Sequence, residues 1–379
     1  MLKTIKNMPV VKKLRKTRAY SRLRQHFPMA ELQPIDDRGW MADAEAVTID
    51  WPAQVSKPRV GVVRDFDPYP RWTKYCRFLD RNGFPYDIYD VHAQSWLENA
   101  RQFDVIVGMP SCEPYHLEEL REKYFFMETF LGKMCYPSLS HTMLYENKRL
   151  EAYIAQLSGI PFAPTRVSHD REDALRLIKH LTYPVVSKIV PGSGSYGVEL
   201  VPNLQGSQKI VTEAFSRQGR KTCKCYLRQK NYVYFQDYIP NDGYDIRVIV
   251  IGRRVFGYYR KVLQGDFRAS GMGLEEKRAL PEEAMRIALQ ANKLIKSPIL
   301  VADMLHGLDG KYYVIELSPL SQVDSPEELH VNGIPGNYVF HDDGSFSFEE
   351  GKYWIQELAL RQFFLDDYLP RRGQWASAD

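Results

Sequence analysis

Short apolar runs alternate with segments of helical spacing from Arg59 onward in this 379-residue chain. Val60-Gly61-Val62-Val63, Tyr86-Asp87-Ile88-Tyr89 and residues 103–108 predict strands, with helices over 69–82 and 93–100 between them. Strand–helix alternation at this spacing predicts a parallel sheet with right-handed crossovers. Ligands of such sheets sit past the carboxyl ends of the strands, which here carry Arg64-Asp65-Phe66-Asp67 and Met109-Pro110-Ser111-Cys112-Glu113. No G-x-G-x-x-G follows the first strand, which argues against a dinucleotide site. A helix over 116–132, a short strand at 134–137 and a helix over 147–158 stopped by Gly159 come next. Strands are predicted over 183–189 and 233–239, a hairpin over 245–262 around Gly252-Arg253, and a helix over 281–297. After Pro326 the pattern predicts a Gly- and Asp-containing loop and a last amphipathic helix over 354–368.

One hairpin stands out. Val301-Ala302-Asp303-Met304-Leu305 and residues 311–319 flank Asp309-Gly310, a two-residue turn signal. That turn pairs Leu308 with Lys311 and, counting outward, Asp303 with Glu316. Facing residues share a side of the sheet with Cβ atoms about 5 Å apart, and Ser318 falls on the same side. Two like charges so placed are destabilising unless they are solvated on an exposed face or share a hard divalent cation.

Composition narrows the class. Hydrophobic residues make up 44% and aromatics 13%, as in a globular chain, and a net charge of +4 says nothing about partners. The five cysteines form no zinc-spaced set, and with no signal peptide they point to a reducing, cytoplasmic setting. No apolar run approaches the roughly 20 residues of a membrane span. Residues 1–30 carry nine Lys or Arg (Lys3, Lys6, Lys12, Lys13, Arg15, Lys16, Arg18, Arg22, Arg24) and no acid. This arm reads as a solvated extension or as a peripheral contact with an anionic membrane.

Further candidates lie upstream of the hairpin. Pro191-Gly192-Ser193-Gly194-Ser195-Tyr196-Gly197 is a small-residue turn whose backbone can approach phosphate, although it does not match a P-loop. Lys188 ends a buried strand and Lys148 opens a helix, both costly places for a cation without an anion nearby. Arg247, Arg260, Lys261 and Arg268 cluster around one predicted hairpin. Several cations near paired carboxylates suit phosphoryl transfer.

In this order the segments resemble the ATP-grasp superfamily, nearest to carboxylate–amine ligases such as D-alanine–D-alanine ligase and the glutamate-adding ligases. The segments are Asn147-Lys148 with Gly159-Ile160-Pro161, residues 183–188, the glycine-rich loop, Gln236-Asp237-Tyr238-Ile239-Pro240, residues 245–252, Gly265-Asp266-Phe267-Arg268, and Asp303 with Glu316-Leu317-Ser318-Pro319. The resemblance implies an α/β chain with an ATP-grasp fold, two α+β subdomains gripping ATP, after a Rossmann-like parallel α/β domain. It implies a basic extension over 1–57, a pre-ATP-grasp domain over 58–138, the ATP-grasp domain over 139–325 with its lid near 165–238, and a C-terminal loop and helix over 326–379.

The resemblance also implies roles. Lys148 and Lys188 contact the ATP phosphates, and Ser193, Gly194, Ser195 and Gly197 close over them. Asp237 faces the adenine amino group, with the backbone of Tyr238 and Ile239 completing the slot, and Asp245 serves the ribose or orients neighbours. Arg260 clamps the transferring phosphoryl group, with Arg268 and Arg247 beside it. Asp303, Glu316 and Ser318 hold one or two magnesium ions, with manganese as a substitute. A carboxylate substrate becomes an acyl phosphate, and an amine displaces phosphate to give an amide; the acceptor is a peptide or a cell-envelope sugar acid, and no nucleic acid takes part. The chain departs from the family where Glu-x-Asn becomes Glu316-Leu317-Ser318, a weaker hydroxyl donor. A kinase acting on a hydroxyl, or a nucleotide-binding protein without turnover, are the alternatives. The sequence does not determine the oligomeric state.

Overall fold

The computed structural model describes residues 33–192, 196–222, 226–262, 266–268, 274–321 and 323–375. The basic arm and three of the small loop residues, Ser193, Gly194 and Ser195, lie outside them.

Strands β1 (Val60–Val63), β2 (Tyr86–Tyr89), β3 (Val105–Val107) and β4 (Met134–Tyr136) form a parallel sheet in the order β2-β1-β3-β4. Helices α1 (Trp72–Arg81), α2 (Trp96–Ala100) and α3 (Pro114–Phe130) make the crossovers. Helix α4 (Leu139–Leu144) leads into α5 (Lys148–Ser158), whose N-cap Asn147 accepts from Leu150 N and whose C-cap is Gly159 at φ 64°. A small antiparallel sheet follows, β5-β10-β6-β7, from β5 (Thr165–Ser168), β6 (Val185–Ser187), β7 (Glu199–Val201) and β10 (Val233–Asp237). It carries α6 (Arg171–Leu177) and α7 (Leu204–Ala214), and β8 (Arg220–Lys221) pairs with β9 (Arg228–Gln229) at its rim.

The largest sheet is antiparallel and runs β15-β14-β11-β12-β17-β16 among the described residues. Its central pair, β11 (Asn241–Ile251) and β12 (Arg254–Lys261), is the hairpin expected around Gly252-Arg253. Short β13 (Glu275–Glu276) pairs with β12, and α8 (Glu282–Ile295) packs its Ala284, Ala288 and Ala291 against the sheet. Strands β14 (Leu300–Gly307) and β15 (Tyr312–Ser318) form the candidate hairpin.

Residues beyond 326, expected to form a loop, instead form β16 (His330–Val331), β17 (Ile334–Phe340) and β18 (Phe346–Glu350). Their turns are Asn332-Gly333 and the loop at Gly344, and Tyr338, Phe340, Phe346 and Phe348 pack beside the α8 core. The last helix divides into α9 (Ile355–Phe363), a π-turn over Phe364–Tyr368, and α10 (Leu369–Trp375).

Residues 33–57 form no regular element but lie as a strap, mostly exposed and pinned at the buried Asp37 and Val47. Trp51 lies edge-on to Phe84 at 4.9 Å and to Phe364 at 5.7 Å, while Trp354 Nε1 donates to Ala42 O at 3.3 Å. Each aromatic pair adds about 0.5–1.5 kcal/mol beyond its buried area. A buried ion pair between Lys74 and Asp37 fixes the strap to α1.

Candidate active site

The small sheet and the large sheet face each other across a cleft. The small sheet side contributes Val186, Lys188, Gly192, Val198, Gln236 and Asp237, with Tyr238 and Ile239 in the passage between sheets. The large sheet contributes Asp245, Arg260, Asp303, Leu305, Ile315 and Glu316, and α5 contributes Lys148. Asn241, Val262, Phe267 and Arg268 also line it. The cleft thus gathers four cations and four carboxylates with apolar walls suited to a base.

The hairpin pairs Asp303 with Glu316, as expected, but by another route. Gly307 N donates to Lys311 O at 2.8 Å, so the turn is the three-residue loop Leu308-Asp309-Gly310, with Gly310 at φ 79°. That loop shifts the register to Met304↔Val314, and a bulge between Met304 and Asp303 shifts it back. The expected two-residue turn is therefore corrected.

The like-charge conflict is resolved by side-chain cations. Arg247 donates to both oxygens of Asp303 at 2.8 Å, and Arg260 lies 2.7 Å from Asp303 Oδ2. Arg260 also forks onto Asp245 at 2.6 and 2.8 Å. Three strands thus interlock through alternating charge, because Asp245↔Arg260 (β11–β12) and Arg247↔Asp303 (β11–β14) are direct cross-strand partners. Burial alone raises the Asp303 carboxyl, but Arg247 and Arg260 outweigh it and hold the group below the ordinary carboxylate range. Asp245 shares its guanidinium, and burial pushes it up. Glu316 has its own cation, Lys148 Nζ at 3.0 Å.

The two lysines reach the cleft floor from different elements. Lys148 Nζ also donates to Gly192 O at 2.7 Å. Burial would lower it, but Glu316, Glu146 and Glu151 hold it above the ordinary lysine range. Lys188 Nζ donates to Ile315 O at 2.9 Å, and burial lowers it. A lysine depressed by burial is poised to gain from an arriving anion.

Other candidates are placed as follows. Asp237 lines the cleft and accepts from Arg166 Nη1 at 2.5 Å, a partner the sequence reading missed. Arg268 forks onto Asp266 at 2.9 Å. Gly197 stands at φ 70°, and a Cβ there would lie 2.1 Å from the Ile189 side chain, so only glycine fits that loop end. Arg247 and Ser318 do not line the cleft. Arg247 sits against Asp303, and the Ser318 hydroxyl donates to Leu320 O at 2.7 Å. Tyr226, between β8 and β9, donates to Glu113 Oε2 at 2.7 Å and so joins that hairpin to the carboxyl end of the parallel sheet.

The RimK-like ATP-grasp family matches residues 138–332, just over half of the chain. The chain belongs to that family. Among curated relatives of this ATP-grasp chain, α-aminoadipate–LysW ligase LysX of Saccharolobus solfataricus is 30% identical over 257 residues, 66% of this chain and 89% of the relative. A probable α-L-glutamate ligase of Haemophilus influenzae is 28% identical over 183 residues, 47% of this chain and 57% of the relative. Among solved structures, D-cycloserine synthetase DcsG superposes with a TM-score of 0.51 at 14% identity, covering 70% of this chain and 92% of that one, a likeness of fold. This ATP-grasp chain is an ADP-forming carboxylate–amine ligase, as its matched family and its named ligase relatives show. Among the described residues no helix is long and apolar enough to cross a membrane.

Proposed function

We propose that the cleft binds ATP with its phosphates between Lys148 and Lys188 and its base between the walls formed by Val186, Ile239, Leu305 and Ile315. The observation that carries this reading is the convergence of Lys148, Lys188, Arg260, Asp303 and Glu316 on one cleft from α5, the end of β6 and three strands of the large sheet. Asp303 and Glu316 are facing, hard-oxygen donors whose present counter-charges are the side chains of Arg247, Arg260 and Lys148. No group of three or more acidic, His or Cys residues forms a cage among the described residues. Two carboxylates suit magnesium, which takes its remaining ligands from phosphates and water. Magnesium held by them would neutralise charge on the transferring phosphoryl group.

On this reading Arg260 leaves Asp303 for the phosphoryl group and keeps Asp245 as its anchor. Arg247 stays on Asp303 and fixes its orientation. The carboxylate substrate attacks the γ-phosphate, an acyl phosphate forms, and the amine displaces inorganic phosphate. The relatives are named for ligation of α-aminoadipate with LysW and for glutamate ligation. We assign an acidic amino acid as one substrate here and a peptide or sugar acid as the other. The test is a matrix of acidic amino acids against peptide and sugar-acid acceptors, read by ADP and phosphate release together. Equimolar ADP and phosphate with an amide product supports the reading. ADP with a stable phosphorylated product overturns it.

A further inference from the structure

Strand β15 lies at the edge of the large sheet, so one row of its backbone groups has no neighbouring strand. The chain covers that row residue by residue. Val314 N donates to Pro161 O and its carbonyl accepts from Ala163 N, both at 2.8 Å. Ile315 O accepts from Lys188 Nζ at 2.9 Å. Leu317 N, between Glu316 and Ser318, donates to Glu151 Oε2 at 2.9 Å. Glu151 is 1% exposed, and its Oε1 has no hydrogen-bond partner among the described residues. A carboxyl group so buried costs free energy that a surface acid at a helix start would not. Glu151 also lies on the same first turn of α5 as Lys148, which holds the Glu316 carboxylate. One helical turn therefore grips two successive residues of the edge strand, the side chain of Glu316 and the amide of Leu317.

We propose that Glu151 is a positioning residue for the metal carboxylate: its bond to Leu317 N sets the backbone that aims Glu316 into the cleft. The inference rests on the assignment of Glu316 to the metal. When Lys148 turns to phosphate, the Glu151 bond is the contact from α5 that remains on this part of the strand.

The test is Mn2+ binding, followed by electron paramagnetic resonance with a non-hydrolysable ATP analogue, and analogue binding without metal. Glu151→Asp keeps the charge and withdraws the oxygen; it weakens Mn2+ binding about tenfold, the size of effect usual for groups that orient metal ligands. Its metal-free analogue affinity stays within about twofold of wild type, and Glu151→Gln, which keeps an acceptor oxygen, recovers Mn2+ affinity to within about threefold. Wild-type Mn2+ affinity in Glu151→Asp overturns the inference when Glu316→Gln is impaired. An equal loss of metal-free analogue binding also overturns it, because Glu151 then merely supports Lys148. If Glu316→Gln binds Mn2+ normally, the metal reading itself fails and this inference fails with it.

Discussion

Two hairpins of the large sheet are built alike and end differently. In β14–β15, Gly307 N bonds Lys311 O at 2.8 Å, and Gly310 closes the loop at φ 79°. In β17–β18, His341 N bonds Ser345 O at 3.0 Å, and Gly344 closes the loop at φ 84°. Each places acids along a strand. Asp303 has a side chain 6% exposed and two guanidinium partners, whereas Glu349 is 46% exposed and pairs with Arg254 at 3.0 Å. An acid on a strand acquires chemistry from the loss of water and from the cations around it; the hairpin itself supplies only position.

The largest expected contrast is between the two acids. Asp303→Asn should lower kcat by at least about a hundredfold, the scale for losing a group aimed at developing charge. Glu349→Gln should leave it within about twofold, as for most exposed pairs. A coupled ADP-release assay decides, and equal effects would break the comparison. The cations come next. Lys188→Met should weaken ATP about thirtyfold, near 2 kcal/mol for a charged hydrogen bond, and Arg254→Met should not; titration of a fluorescent ATP analogue separates them. Ser318→Asn should lower the Mg2+ half-saturation about threefold, since an amide oxygen reaches further than a hydroxyl. An unchanged Mg2+ dependence would show that position 318 stays outside the metal site, as the Ser318 bond to Leu320 O places it now.

Two smaller tests sharpen the likeness. Gly310→Ala and Gly344→Ala should each cost about 1 kcal/mol, or about 2–4 °C in Tm, because both hold a left-handed conformation. A clear inequality would show that the loops are not equivalent. Glu328, buried at the root of the second hairpin, is raised by burial from 4.5 to about 8. Between pH 5 and 8 the unfolded chain has given up a proton that the folded chain keeps, so stability falls as pH rises through that window. Glu328→Gln removes this slope, and its Tm advantage should grow steadily, by several degrees, from pH 5 to pH 8.

Much of the site was legible because its charges sit where local rules make charge expensive. Lys148 at a helix start, Lys188 at a strand end and Asp303 opposite Glu316 each asked for a partner, and all four meet in one cleft. The Asp303–Glu316 pairing was read correctly through two offsetting errors, a turn one residue short and a bulge not foreseen. Bulges answer to tertiary packing, which a count outward from a turn does not contain. Glu151 gave no signal, since an acid in the first turn of a helix is ordinary and only burial sets it apart. The β17–β18 hairpin was legible in principle: Tyr338, Phe340, Phe346 and Phe348 alternate on either side of Asp343-Gly344. The Gly and Asp residues drew attention away from that alternation.

The strap has a consequence for synthesis. Ala42 meets Trp354 across 312 residues of chain, and Trp51 meets Phe364 and Tyr368. Closing such a span costs about 5 kcal/mol of chain entropy, which the aromatic contacts must exceed before the strap can settle. At about 5–20 residues per second, a ribosome needs roughly 15–60 seconds to supply the last helix after the strap has emerged. For that interval the strap holds only its nearer partners, Lys74 and Phe84, and its face toward Trp354, Phe364 and Tyr368 stays open on the nascent chain.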